Sequence, residues 1–158
     1  MTTTEYIIEL SGTPASDFGK KEFADHSDDQ KIFTAVFGSS GSIFMDGFEL
    51  YFVNYDGEAA YFAPEAYRRI GAPKSAEIIE KASRVVSSDP IPESSDARAT
   101  LVSGLTEEGR LKLEELGQLF YSTGEIIDDL LFDFVKAHPD TFGPVPGNIE
   151  RQADRLSD

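Results

Sequence analysis

The sequence contains no cysteine, which removes disulfides, thiolate zinc sites and cysteine nucleophiles together. It also lacks any apolar run approaching the roughly 18 residues of a membrane-spanning helix. The opening MTTTEYIIELSG has no basic stretch followed by a long apolar one, so a cytoplasmic location and stability from packing alone are expected. Basic residues are scarce: 14 Lys and Arg stand against 29 Asp and Glu, a formal net charge of −15 at pH 7. Such a chain repels nucleic acid and anionic membrane, and its partners are expected to be neutral or basic.

Signatures of chemistry are missing too. GSSGS at 38–42 has the glycines of a phosphate loop without the Lys and Ser or Thr that must follow. NYDGE at 54–58 fails as a calcium loop, because setting Gly57 at the invariant glycine puts Phe52 at the first ligand position and Ala63 at the bidentate acidic one. The two histidines, His26 and His138, lie far apart beside loop-forming residues and are expected at the surface. No serine sits in a Gly-x-Ser-x-Gly elbow. The expectation is a protein without enzymatic activity, cofactor or metal.

What remains is a pattern of helices. A chain of 158 residues, 40% of them apolar, suits one domain with a sizeable core, expected over 1–142 with a partly flexible tail over 143–158. EYIIEL fits neither the helical nor the strand period over so short a window. From Ser16 the signals are helical, with Phe18 near Phe23; DDQKIFTAVFG then aligns Ile32, Phe33, Val36 and Phe37 on one face and is expected to stop at Gly38, leaving GSSGS as a connector. Phe44, Phe48, Tyr51, Phe52 and Tyr55 fall at offsets of zero, four, seven, eight and eleven, a helical stripe ended by Asn54, Asp56 and Gly57.

Pro64 is expected to open a short helix ending at Gly71. KSAEIIEKASRVV reads as amphipathic, with Ala76, Ile79, Ala82, Val85 and Val86 inward, and SSDPIPESSD as a loop. Thr106 caps the last helical block, which continues through GEIIDDLLFDFVKAHP until Pro139, and GPVPGNIERQADRLSD is expected to begin as loop and finish as a poorly ordered short helix. The expected fold is therefore all-α, a compact single-domain bundle of about six to eight helices.

One feature of this pattern concerns function directly. Glu125, Asp128, Asp129 and Asp133 fall at offsets of zero, three, four and eight, so on a continuous helix they share a face opposite Ile127, Leu130, Leu131 and Phe134. Carboxylates three to five residues apart are roughly 5 to 8 Å apart along a helix axis, comparable to neighbouring phosphates of nucleic acid. Glu107, Glu108, Glu114 and Glu115 supply a second row. As a magnesium-type site the ridge would need further oxygen ligands from another helix, and Glu114 and Glu115 carry no metal signature. The ridge is expected to be a solvated face or a surface that binds a basic partner.

DGFELYFVNYDGE, AYRRIGAPKSAEIIEKA, LGQLFY and LLFDFVKAHPDTF resemble successive blocks of the DMP-type bacterial DNA-mimic protein family, over about residues 28 to 142. Its most specific pattern, G-G-F-x-x-Y-F-x-N-x-x-G, is met by Gly47, Phe48, Tyr51, Phe52, Asn54 and Gly57, with Asp46 in place of the first glycine and Met45 where the family prefers Asn. The resemblance implies an all-helical fold and, from the family's characterised type, an acidic dimer that binds a transcriptional repressor in place of DNA. The motif itself is expected to carry the fold, with Gly47 inside a helix admitting a close neighbour. Function then falls to the acidic surface, as a DNA mimic on the DNA-binding face of a regulator; the alternatives are an assembly or toxin-neutralising module with a mainly apolar contact, and behind it a metal-dependent hydrolase.

Overall fold

The computed structural model describes residues 1–157 and is all-α, with nine α-helices and no strand among those residues. Seven helices are at least seven residues long: α1 (Thr3–Ser11), α2 (Asp28–Val53), α3 (Ala63–Arg69), α4 (Pro73–Val86), α5 (Ser95–Ser103), α6 (Glu107–Tyr121) and α7 (Ile127–Lys136). Two short ones follow, α8 (Pro139–Phe142) and α9 (Gln152–Leu156). Helix α2 is the central element and packs against α3, α5, α6 and α7; α4 joins α3 to α6, and α1 lies on α7.

The segment whose periodicity settles nothing, EYIIEL, is helical because its end is capped. Thr2 accepts from the Glu5 amide while the Glu5 carboxylate accepts from the Thr2 amide, a reciprocal box that satisfies two otherwise orphaned donors. Ser27 and Gln30 form the same box at the start of α2. Residues 16–27, expected to be helical, are instead turns with one 3-10 turn at Phe23–Asp25, and Asp17 and Gly19 are both at positive φ. Phe18 and Phe23 are recruited separately, Phe18 edge-on to Phe37 and Phe23 against Phe62 and Tyr61. His26 is buried rather than at the surface, its ring nitrogens 3.1 Å from the Asp17 carbonyl and 3.1 Å from the Thr34 hydroxyl.

Helix α2 does not stop at Gly38. GSSGS continues it, because small residues there let neighbours approach: a Cβ on Gly38 would lie 2.7 Å from the Asp56 carboxylate, and the Ser39 hydroxyl, 2.6 Å from the Ala35 carbonyl, also meets the Tyr67 hydroxyl at 2.9 Å. The interruption comes at Gly47, with φ 84° and ψ 174°. That conformation is open almost only to glycine. No neighbour lies within 4 Å of where its Cβ would be, so the residue is there for its backbone and not for close packing.

The break re-aims the aromatic stripe. Phe48, Tyr51 and Phe52 are buried, with Phe48 stacked on Phe52 and edge-on to Phe120, whereas Phe44 and Tyr55 lie exposed. Gly57 is not at positive φ; it sits in a 3-10 turn (Tyr55–Ala59) where a Cβ would come within 2.7 Å of the Tyr51 and Phe52 carbonyls. Helix α3 opens on Pro64 and gives way at Gly71, φ 86°, to α4, whose buried face is Ser75, Ala76, Ile79, Ala82 and Val86.

Helix α5 lies where the sequence shows no period, and it delivers a buried arginine. Arg98 is 2% exposed and donates through Nε to the Phe52 carbonyl (2.7 Å), through Nη2 to that of Asn54 (3.1 Å) and through Nη1 to those of Pro92 and Glu93. Its positive charge meets the carbonyl end of α2, where the helix dipole favours a cation. A break at Gly124, φ 79°, separates α6 from α7, and Pro139 opens α8 rather than ending the block.

Candidate functional site

The four residues of the expected α7 ridge do not form one solvent-facing row. Glu125 precedes α7, and its carboxylate turns to the start of α4, where Ala72 provides no side-chain cap. There it accepts from the Ser75 amide (2.7 Å), the Ser75 hydroxyl (2.8 Å) and the Lys74 amide (3.1 Å). A carboxylate borrowed from another segment thus does the work of an N-cap and sits at the positive end of the helix dipole.

Asp129 is 2% exposed and is spent entirely on its neighbours. One oxygen accepts from the Thr3 hydroxyl (2.6 Å) and the Gln152 amide (2.8 Å), the other from the Ala153 amide (2.9 Å). Burial works to raise its pKa, but those three hydrogen bonds and the nearby Arg151 guanidinium outweigh it and hold the carboxyl below the usual range. Asp128 accepts from the Thr4 hydroxyl at 2.5 Å. Asp133 reaches solvent but is held in a two-pronged pair by Arg151, at 2.6 and 3.0 Å. These acids therefore tie α7 to α1 and to the segment 150–153, which also meets the N-terminus through the Thr3 amide and Glu150 carbonyl (2.9 Å).

Helix α6 is the opposite case. Glu107, Glu108, Glu114 and Glu115 are all exposed, and among the described residues only Glu115 of the four has an ion-pair partner, Lys112 at 3.5 Å. Leu113, Leu116, Gly117 and Phe120 face the core, so the acids occupy the outer surface. Glu107 and Glu114 lie on one side of Leu111, Glu108 and Glu115 on the other, each pair seven residues apart. Leu111 itself is 59% exposed between them.

Between α6 and the part of α2 around Gly47 runs a groove of about 390 Å³. Asp46, Glu49, Glu107 and Glu114 line it with a single cation, Arg110, which is paired with Glu49 and also donates to the Val102 carbonyl (3.3 Å). Leu111 and Tyr121 give it apolar surface, and Gly117 lies on its floor near Phe48. The Tyr121 hydroxyl, 3.0 Å from the Ile43 carbonyl and 2.6 Å from that of Phe44, donates to the carbonyls left at the end of the helical run by the break at Gly47. Phe44 (65% exposed) packs edge-on against Tyr121, with ring centres 5.2 Å apart, and Met45 is 78% exposed.

The family motif and this groove share their residues. Gly47 and Phe48 form part of the wall, while Tyr51, Phe52, Asn54 and Gly57 continue behind it into the core, where the Asn54 side chain accepts from the Asp56 amide (2.9 Å) and donates to the Ser42 hydroxyl. Residues 24–138 match the sequence profile of the DMP19-like protein family. The chain belongs to the DMP19-like family. It is a DNA-mimic protein family and not a known enzyme family. No curated protein and no solved structure matches the chain.

Among the described residues no three His, Cys, Asp or Glu side chains gather as a metal-holding group, and no helix is long and apolar enough to cross a membrane. The sequence reading singled out Glu107 and Glu114 without the groove they border. It missed Asp46 and Glu49 as parts of a site, because their convergence on α6 depends on the backbone turn at Gly47.

Proposed function

We propose that this protein is an acidic, non-enzymatic binding protein that occupies the DNA-binding surface of a bacterial regulator. The observation that carries the reading is the exposed acidic face of α6, Glu107, Glu108, Glu114 and Glu115, in a chain of net charge −15 that belongs to a DNA-mimic family. A helix that holds four exposed carboxylates, only one of them in an ion pair among the described residues, offers a basic groove the same sign of charge that a phosphate backbone offers. Asp128 and Asp133 are engaged within the fold, by Thr4 and by Arg151, and are left out of this surface.

The purified protein, used as bait in nuclease-treated lysate of the source organism, tests this. The expected result is a captured protein that binds duplex DNA by itself, loses that binding in the presence of the acidic chain, and is released by moderate salt. Capture of a partner that duplex DNA does not compete off overturns it. A second reading, an interaction module with a mainly apolar contact, is favoured by Phe44, Met45 and Leu111, and predicts binding that withstands salt.

A further inference from the structure

Two exposed large apolar side chains, Leu111 and Tyr121, line the α2–α6 groove, and a third, Phe44, packs edge-on against Tyr121 with ring centres 5.2 Å apart. Exposed apolar residues scattered singly need no explanation, but apolar side chains that line a concave surface mark a place that another molecule covers. The surrounding charge narrows what that molecule is. Asp46, Glu49, Glu107 and Glu114 border the groove, and its one cation is already taken by Glu49. A second copy of this chain would bring more negative charge to the same place. Nucleic acid and acidic peptides are disfavoured on the same ground.

We propose that the α2–α6 groove receives a basic amphipathic helix of the partner, which sets an apolar side chain against Leu111 and Tyr121 while its Lys and Arg residues meet the carboxylates on the rims. This deepens the function proposed above and rests on it, and adds that charge alone does not define the partner. From Glu107 to Tyr121, α6 runs roughly 21 Å, enough for about four turns of a helix laid alongside it. The spacing of the acids matches such an occupant. Glu107 and Glu114 stand four before and three after Leu111, so a helix with one apolar anchor and cations three or four residues to either side meets all three in register. The break at Gly47 is what opens the other wall, bringing Asp46 and Glu49 to face Glu107, Arg110 and Glu114 across the groove.

The test uses the full chain and two helical model peptides of about 15 residues with the same number of lysines, one carrying leucines on a single face at i, i+4 and i+7, the other glutamines there. Binding is followed by peptide fluorescence anisotropy and by backbone amide shifts of the protein. The leucine peptide is expected to bind at least about tenfold more tightly than the glutamine peptide, to shift Gly117 and Gln118, and to lose about tenfold on Leu111→Ser, whose side chain is outside the core. Paired Glu107→Gln and Glu114→Gln changes are expected to weaken both peptides and flatten the salt dependence. Equal binding of the two peptides, with no effect of Leu111→Ser and shifts elsewhere, would overturn the groove while leaving an acidic binding protein in place. Failure of both lysine peptides to bind at low salt would overturn both. A dimer that buries Leu111, detected by sedimentation and by loss of dimer on Leu111→Ser, would assign the groove to a second copy instead.

Discussion

Helices α6 and α7 present the same kind of sequence, apolar on one face and acidic on the other, yet their carboxylates serve different ends. Those at α7 are consumed by the fold: Glu125 caps α4, Asp129 accepts from three donors of α1 and the segment 150–153, and Asp133 holds Arg151. On α6, Glu107 and Glu114 border the groove and all four acids leave oxygens to solvent, with only Glu115 in an ion pair among the described residues. The difference lies in what covers each helix. Helix α7 lies under α1 and α9, whose free amides and hydroxyls demand acceptors, while the outer face of α6 has no element over it. A run of acids on one helix face thus tells its charge and not its exposure.

The comparison breaks most visibly at Asp129. Asp129→Ala leaves the Gln152 and Ala153 amides and the Thr3 hydroxyl without their acceptor, and is expected to cost about 3 kcal/mol in urea unfolding. The pH dependence follows from its lowered pKa. The folded value lies below the unfolded one, so the stabilisation is present above the unfolded pKa of about 3.9 and is lost as pH falls through the folded value. Acid unfolding should therefore be less steep in the variant than in the parent below about pH 4, and an unchanged slope would remove Asp129 from that role.

Gly47→Ala comes next, at about 2 kcal/mol of lost stability, since φ 84° with ψ 174° is closed to alanine. Were Gly47 an ordinary helical glycine, the same change would stabilise by up to about 1 kcal/mol, so the sign of the measured difference decides between the two. Glu125→Ala is expected to cost about 1 kcal/mol, the usual worth of an N-cap, and to speed amide exchange of Lys74 and Ser75 at the start of α4. Changing Glu107, Glu108, Glu114 and Glu115 together to Gln has the smallest effect on the fold, within about 0.5 kcal/mol, because lost helix-dipole interaction and relieved repulsion offset each other. The same variant is expected to lose its salt-sensitive partner, which separates binding acids from folding acids.

Much of the fold was legible. The amphipathic period of α4, the Thr106 cap of α6 and the Pro64 start of α3 are local features, and the structure keeps each of them. The stretch 16–27 misled because two phenylalanines near helical spacing were drawn to different neighbours, and GSSGS misled because small residues that weaken a helix in isolation are favoured where another segment packs close. Arg98 gave no signal, since a lone arginine acquires meaning only when four carbonyls converge on it. The α6 acids could be read as exposed from their helix period alone; Asp46 and Glu49 could not be joined to them.

By itself the sequence determined what is local or additive: the absence of thiol chemistry, the excess of negative charge, the helical period, and the aromatic motif that fills the core beneath α6. Only the tertiary structure decided which carboxylates remained free. A side chain's solvation depends on residues distant along the chain, as when Asp129 meets Thr3 and Ala153, and on single backbone angles such as φ of Gly47, which swing one wall of a groove outward. Composition fixes the number of charges, and packing fixes how many of them another molecule can touch.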